Sequence, residues 1–488
     1  MDKKLKRNIL KSSAATSIGT ISSMAFQFIT IMIMTRYVPK EDFGIYALVI
    51  VIVHMFNLLG GLGVELTMVK FIANDNLDER KNVLMPVLVL RTIGSIIFSV
   101  IFIFTSEFFL HFFDDQINQY IWYILLIFNL ANYRDLFYNL MQGINQFRQY
   151  SIVNVASSAF RVVIVVLFIY LGKLDIESLL IIEVLATLQP LIHQIIVIPF
   201  KKYLSIKTTM ETFKRVIKFS NPLYLNNLVT FVSGRMNIFI IGLYFNPASI
   251  ANYDVASKVP VALKKLFSSF IIVYFPNLAK LYSQGDKKTA VILVERSIGI
   301  FSLSVSFLTL FSFLFRNELT TLLFSDRYAE VSLAFTLLIL NFLIRGFNDL
   351  MGYTLVPAGY PSVSPRVNSI ASVINLSLSL LFIPIYGYMG AVYSLLIMNV
   401  ISAQLFYKFL RKYEINFRLI VFLKPAIILL AAPLSLLYTG EFSLLFNISL
   451  FISCIILSWF IIKDVKDVVK FIAFRAQKLK WEKNKVKE

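Results

Sequence analysis

Long apolar stretches separated by short polar connections run along the whole chain. Each stretch is long enough to cross a bilayer, because a membrane-spanning helix needs about 20 consecutive apolar residues. The pattern therefore predicts an all-α integral membrane protein with about fourteen transmembrane helices. The fourteen stretches are residues 12–36, 43–68, 82–106, 120–142, 151–171, 176–200, 216–242, 248–275, 289–315, 330–356, 365–385, 388–409, 419–439 and 441–462.

The composition excludes several other classes of protein. Of 488 residues, 58% are hydrophobic and 15% are charged, whereas about a quarter of the residues in soluble domains are charged. A soluble enzyme is therefore excluded. The single cysteine, Cys454, and three scattered histidines form no disulfide or metal-ligand pattern, and the sequence contains no nucleotide-binding motif. We expect neither a metal nor a cofactor.

The net charge of +19 is distributed unevenly between the predicted loops. Lys and Arg concentrate in the cytoplasmic loops of membrane proteins. With the N-terminus placed inside, the cytoplasmic ends and loops hold 32 of the 47 Lys and Arg residues, and the opposite loops hold 5. This alternation predicts cytoplasmic termini and relates the basic charge to the membrane rather than to nucleic acid. The basic tail, 463–488, is expected to lie on anionic lipids of the inner leaflet.

The two halves of the chain carry a weak repeat. Residues 36–47 align with 243–254 at an offset of 207, and the stretch that begins at Arg91 aligns with the one that begins at Arg296. Arg134 aligns with Arg345 at an offset of 211. The order and spacing predict two pseudo-symmetric six-helix lobes, related as a parallel repeat, with two further helices at the C-terminal end. The predicted parts are an N-lobe at 1–200, a cytoplasmic linker at 201–215, a C-lobe at 216–412, helices 13 and 14 at 413–462, and the tail.

Ten cations fall inside the predicted helices, where an unpaired charge at mid-membrane costs at least about 2.5 kcal/mol. They are Arg91, Arg134, Arg161, Arg235, Lys258, Lys264, Lys265, Arg296, Arg345 and Lys424. Fewer acids are embedded: Glu65, Asp135, Glu183, Asp254, Glu295 and Asp349. The excess of cations indicates a polar interior suited to an anionic cargo, although each charge could also snorkel to an interface or form a local ion pair.

Several short motifs resemble a known transporter family. They are the stretch from Thr35 to Tyr46, the Gly61-Leu62-Gly63 turn that leads to residues 69–73, and residues 241–258 in the second half. These motifs are similar to those of the polysaccharide or oligosaccharide (O-antigen-type) flippases of the multidrug/oligosaccharidyl-lipid/polysaccharide (MOP) exporter superfamily. The resemblance implies a V-shaped pair of lobes around a cationic lumen. It also implies that the protein moves polyprenyl-diphosphate-linked oligosaccharide to the outer leaflet of a bacterial plasma membrane by alternating access.

The embedded charges supply the candidate site residues. A diphosphate needs forked or point-charge donors, which Arg and Lys provide. The predicted lumen ligands are Arg91, Arg134, Arg161, Arg235, Lys258 and Arg345. Glu183, Asp254 and Asp349 are candidates for proton or sodium coupling, but each could equally be the ion partner of a nearby cation. Polysaccharide polymerase or other assembly proteins are candidate partners.

Three alternatives stay open at this point. A lipid II flippase and a multidrug exporter belong to the same superfamily, although a drug exporter for cationic compounds should carry more acids than bases in its cavity. A membrane-embedded polymerase or ligase should carry a large external loop. The longest outer loops here, around 107–119 and 316–329, are too short for that role.

The alternating charges generate a topology prediction. A reporter fused after residue 488 should be active only on the cytoplasmic side of the membrane, as should one fused before residue 1. Detection of either end outside the cell would contradict the predicted topology.

Overall fold

The computed structural model describes residues 3–73, 77–111, 113, 115–203, 208–436 and 447–453. All regular secondary structure within these ranges is helical. The predicted interfacial tail and most of the fourteenth predicted stretch lie outside the described residues; residues 447–453 of that stretch are helical. The α-helices are α1 (Lys3–Tyr37), α2 (Lys40–Gly61), α3 (Val64–Ile72), α4 (Leu77–His111), α5 (Ile121–Gly143), α6 (Phe147–Tyr170), α7 (Ile176–Val197), α8 (Phe200–Tyr203), α9 (Met210–Tyr244), α10 (Pro247–Ser283), α11 (Lys287–Leu314), α12 (Arg316–Phe324), α13 (Ser332–Leu355), α14 (Val363–Tyr386), α15 (Tyr388–Lys412) and α16 (Ile420–Leu436).

Each predicted stretch as far as residue 439 coincides with helix in the described part of the chain. The predicted all-helical membrane fold is thereby confirmed. Within the described residues, nine helices are long and apolar enough to span a membrane, or ten if α9 is counted as a bent span. The exact number of fourteen stays a prediction.

The second predicted stretch differs from a single helix. It is broken into α2 and α3 at Leu62 and Gly63, whose φ angles are 51° and 68°. Left-handed dihedral angles cannot continue a right-handed helix, so α2 ends at this point. The apolar pattern continues through the break, so hydropathy alone predicted one long helix.

The chain divides into two compact units. The first contains Met1–Val255 and Leu376–Ala391, and the second contains Ala256–Asn375 and Val392–Glu488. In the first unit, α1 packs on α6, and α5 packs on α7 and α3. In the second unit, α11 packs on α13 and α16. The lobe boundaries and the V shape that the repeat and the family resemblance suggested stay predictions.

The two repeat-related turns meet within the first unit. Gly44, near the start of α2, lies directly against the backbone carbonyl of Pro247, where α10 begins. A Cβ atom at position 44 would collide with that carbonyl. Glycine is therefore required here for close approach of the two turns.

A fully buried arginine connects α2, α3, α4 and α5 in the first unit. The side chain of Arg91 is 0% exposed. Its guanidinium donates to Glu65 Oε1 at 2.5 Å and to Asn57 Oδ1 at 3.0 Å. Its Nε and Nη2 also donate to the backbone carbonyl of Asn132 at 3.1 and 2.9 Å. These bonds replace the water that the charge loses on burial.

The Gly61-Leu62-Gly63 motif makes room for this arginine. A Cβ atom at Gly61 would collide with the Arg91 guanidinium and would lie 2.9 Å from Glu65 Oε1. Arg296, the repeat-related counterpart of Arg91, is instead exposed. Matching positions of the repeat therefore have different environments.

This contrast generates a stability prediction. Arg91→Leu should leave the Glu65 carboxylate without its partner and destabilise the protein strongly, on the order of 3–5 kcal/mol. The matched change Arg296→Leu removes an exposed cation and should have little effect. The midpoint temperature of unfolding of the two purified variants in detergent measures the difference. Equal midpoints for both variants would contradict a structural role for Arg91.

Candidate functional site

A hydrogen-bonded ion pair joins three helices in the first unit. Arg161 donates through both terminal nitrogens to Glu183, at 2.6 Å to Oε2 and 2.9 Å to Oε1. The hydroxyl of Tyr46 donates to Glu183 Oε2 at 2.7 Å. Arg161 also donates to the Tyr46 oxygen at 3.2 Å. The forked geometry is the strong form of an arginine–carboxylate pair.

Each member of this group comes from a different helix. Tyr46 lies on α2, Arg161 on α6 and Glu183 on α7. The start of α7 is determined by Asp175, whose carboxylate accepts a hydrogen bond from the Ser178 amide at 2.9 Å. That bond lowers the pKa of Asp175, so the cap is intact at neutral pH and weakens only when the pH falls through that pKa.

A second charged group lies on α5. Arg134 pairs with the adjacent Asp135 at 2.9 Å, and their side chains are 19% and 33% exposed. Asn57 donates to the other oxygen of Asp135 at 2.7 Å. Because Asn57 also accepts from Arg91, one continuous network runs from the partly exposed Arg134 to the fully buried Arg91.

His54 belongs to the same charged region. It is exposed on α2, three residues before Asn57, and the charged groups near it are Arg235, Asp135, Arg134 and Glu183. The sequence pattern assigned no role to this histidine, because the three histidines show no metal-ligand spacing. A polar side chain in the middle of an apolar stretch was the available signal.

The second unit carries a smaller cluster on α13 and α10. Arg345 Nε lies 3.3 Å from Asp349 Oδ1 across one helical turn, and both side chains are partly exposed. Lys264 on α10 is exposed and lies near both charges. Lys264 was recognised as an embedded cation but was not among the predicted ligands.

The predicted site residues thus fall into one group in each unit and a set of residues outside both groups. The first unit brings Arg134, Arg161, Arg235 and Glu183 together through their shared proximity to His54 or to one another. The second unit pairs Arg345 with Asp349. Of the remaining residues, Lys258 is half-buried and Asp254 is buried on α10, and Arg91 is inaccessible.

Cations outnumber carboxylates in both clusters. The first contains Arg134 and Arg235 with Asp135 and Glu183 near His54, and Arg161 joins it through Glu183. The second contains Arg345 and Lys264 against Asp349. Within the described residues, no group of three or more His, Cys, Asp or Glu side chains could hold a metal ion. The clusters are therefore suited to an anion with several oxygen acceptors.

Comparison with known proteins relates this fold to membrane transporters. The structure superposes on the inward closed conformation of the lipid II flippase MurJ with a TM-score of 0.73 at 16% identity, covering 93% of this chain and 99% of that one. It also matches the inward-facing conformation of a multidrug resistance MATE family transporter of the MOP superfamily, with a TM-score of 0.66 at 12% identity, over 83% of this chain and 99% of the other.

Sequence comparison identifies the family. The chain is 22% identical over 381 residues to the uncharacterized membrane protein MJ1068 of Methanocaldococcus jannaschii, a match that covers 72% of this chain and 74% of that protein. The family resemblance inferred from the short motifs is confirmed by the family comparison and the shared fold. The sequence model described as "Polysaccharide biosynthesis protein" matches residues 9–282, more than half of the chain, which therefore belongs to the polysaccharide biosynthesis protein family.

Proposed function

We propose that this protein is a flippase for polyprenyl-diphosphate-linked oligosaccharide. It takes the lipid-linked sugar from the cytoplasmic leaflet of a bacterial plasma membrane and releases it in the outer leaflet for cell-surface polysaccharide assembly. Membership in the polysaccharide biosynthesis family and the fold shared with MurJ support a lipid-linked cargo. The observation that carries the proposal is the excess of cations over carboxylates in charged clusters on membrane-spanning helices.

The diphosphate is the part of the cargo that most needs the protein. An unpaired anion in hydrocarbon costs many kcal/mol, and cationic donors lower that cost by replacing water. Arg134, Arg161 and Arg235 in the first unit, with Lys258 and Arg345 in the second, are the proposed diphosphate ligands. Arg91 is left out, because its guanidinium is fully buried and already donates hydrogen bonds to Glu65, Asn57 and the carbonyl of Asn132.

The carboxylates keep the ligand cations stable when no cargo is bound. Glu183 holds Arg161, Asp135 holds Arg134, and Asp349 holds Arg345. A diphosphate can compete for the same forked donors, since it offers more oxygens and more charge than one carboxylate. Displaced Glu183 or Asp349 could then accept a proton or sodium ion, which would couple transport to an ion gradient. Asp254 is a further coupling candidate.

A lipid II flippase is the second candidate, because the structure superposes on MurJ. Both cargoes carry a diphosphate, so the charged clusters suit either one. Flipping assays in reconstituted vesicles with each lipid separate the two functions. We expect faster flipping of the lipid-linked polysaccharide unit, in keeping with the family match. A preference for lipid II would reverse the assignment.

The repeat-related arginines generate a transport prediction. Arg134→Ala and Arg345→Ala should each reduce flipping about 10- to 100-fold, the loss expected for one charge-assisted hydrogen bond of about 1.5–3 kcal/mol. Gln should behave like Ala because charge matters more than size, and Lys should restore only part of the activity because it lacks the fork. Flipping is measured in vesicles at equal protein content. Arg296→Gln, which changes an exposed arginine, is the matched control.

The Arg345 and Asp349 pair separates binding from neutralisation. If Arg345 serves only to neutralise Asp349, the double change Arg345→Gln with Asp349→Asn restores flipping. Full rescue by that double change would reject Arg345 as a diphosphate ligand.

The Arg161 and Glu183 pair generates a prediction with two readouts. Glu183→Gln should lower the midpoint temperature of unfolding, because it leaves Arg161 without its compensating charge. The double change Arg161→Met with Glu183→Met removes both charges and should recover most of that stability, since apolar replacements of buried pairs are often neutral. The double variant should still flip about tenfold more slowly, because a proposed ligand is missing. Normal flipping by a stable double variant would show that Arg161 is only structural.

A further inference from the structure

A cavity in the first unit is lined by none of the residues of the charged clusters. It has a volume of about 230 Å³ and lies between α3, α4 and α9. Most of its wall is apolar and includes Leu62, Leu90 and Ile217, and its polar lining comes from Ser220 and Asn221 on α9. A space of this size and character accommodates a segment of one hydrocarbon chain but not a chain of several sugars.

The wall of the cavity is held in place by a buried contact. The hydroxyls of Thr67 on α3 and Ser220 on α9 are 2.7 Å apart and form a hydrogen bond. Both residues are buried. Ser220 also lines the cavity, so this bond holds α3 and α9 together beside it.

A basic and aromatic patch adjoins the cavity. Lys70, near the end of α3, places its Nζ atom 3.8 Å from the ring centroid of Phe219 on α9. The Arg215 guanidinium lies 4.5 Å from the ring centroid of Phe71. The rings of Phe71 and Phe219 pack edge to face at 5.6 Å. The patch thus combines exposed positive charge with apolar surface.

Two more cations align with the cavity along α9. Lys214 and Lys218 are exposed and precede Ile217 and Asn221 by three residues each, so they share one helical face with the lining residues. With a rise of about 1.5 Å per residue, the cations lie within about 10 Å of the cavity along the helix. Under the predicted topology they lie at the cytoplasmic end, beside the inner leaflet.

We propose that this patch and cavity bind one anionic phospholipid of the inner leaflet. Its phosphate contacts Lys70, Lys214 and Lys218, and part of one acyl chain occupies the cavity. Positive charge at headgroup depth next to an apolar cavity matches both halves of such a lipid. The site shares no residue with the proposed transport clusters, so the proposal does not depend on the cargo.

The full-length protein in detergent provides the test, with phosphatidylglycerol and phosphatidylcholine of identical chains as probes. Native mass spectrometry counts retained lipid, and the midpoint temperature of unfolding reports stabilisation. Phosphatidylglycerol should bind and raise the midpoint more than phosphatidylcholine does. The double change Lys70→Ala with Lys218→Ala should weaken phosphatidylglycerol binding about 30-fold. Asn221→Trp should also weaken it by filling the cavity while leaving the charges intact.

Matched controls make the result specific. Lys280→Ala with Lys288→Ala removes two exposed cations from the second unit and should leave binding unchanged. Lys70→Arg with Lys218→Arg keeps the charge and should retain binding. Equal binding of both lipids, equal loss in the two alanine pairs, unchanged binding by Asn221→Trp, or equal competition by chain-free glycerol phosphate would each overturn the proposal. Displacement of phosphatidylglycerol by a polyprenyl diphosphate at lower concentration would overturn it in favour of a cargo-loading site.

Discussion

The burial of charge in an apolar environment is the constraint on which this protein depends. A cation that faces hydrocarbon must find a partner or a wet surface. Arg91 illustrates the first solution, because it is fully buried and donates to Glu65, Asn57 and a backbone carbonyl. Room for that solution comes from the missing side chain of Gly61. One glycine in a short motif thus permits a buried arginine that holds four helices together.

The repeat gives both halves the same types of residue but not the same environments. Tyr46 donates to the carboxylate of Glu183, whereas its counterpart Tyr253 accepts a hydrogen bond from Asn237. Arg91 is buried, but Arg296 is exposed. The pair of Arg134 and Arg345 is more alike, since each arginine contacts an aspartate on its own helix and stays partly exposed. Accessible cations with a local carboxylate are the feature that both halves retain.

Under the proposed function, that shared feature lets one protein be stable without cargo and still favour an anion. Carboxylates pair with four of the embedded arginines, Arg91, Arg134, Arg161 and Arg345, so the helices tolerate these charges. In the proposed function, the remaining positive charge attracts a diphosphate, and the forked arginine donors recognise its oxygens. A multidrug resistance transporter has a similar fold, so the fold does not determine the cargo. In our proposal, the sign of the charge in the clusters is the property that makes this protein suited to an anionic cargo.

The sequence by itself determined the helices, because membrane insertion depends on local hydropathy and on loop charge, which are both read along the chain. It also determined the family, through motifs such as Gly61-Leu62-Gly63, and which charged residues are embedded. Only the tertiary structure decided which of those charges meet. The rotation of each helix and the choice of its neighbours made Glu183 the partner of Arg161, buried Arg91 and brought His54 into the charged region. These contacts join residues that are distant in sequence, as with the 137 positions between Tyr46 and Glu183, and a pattern of local hydropathy carries no information about them.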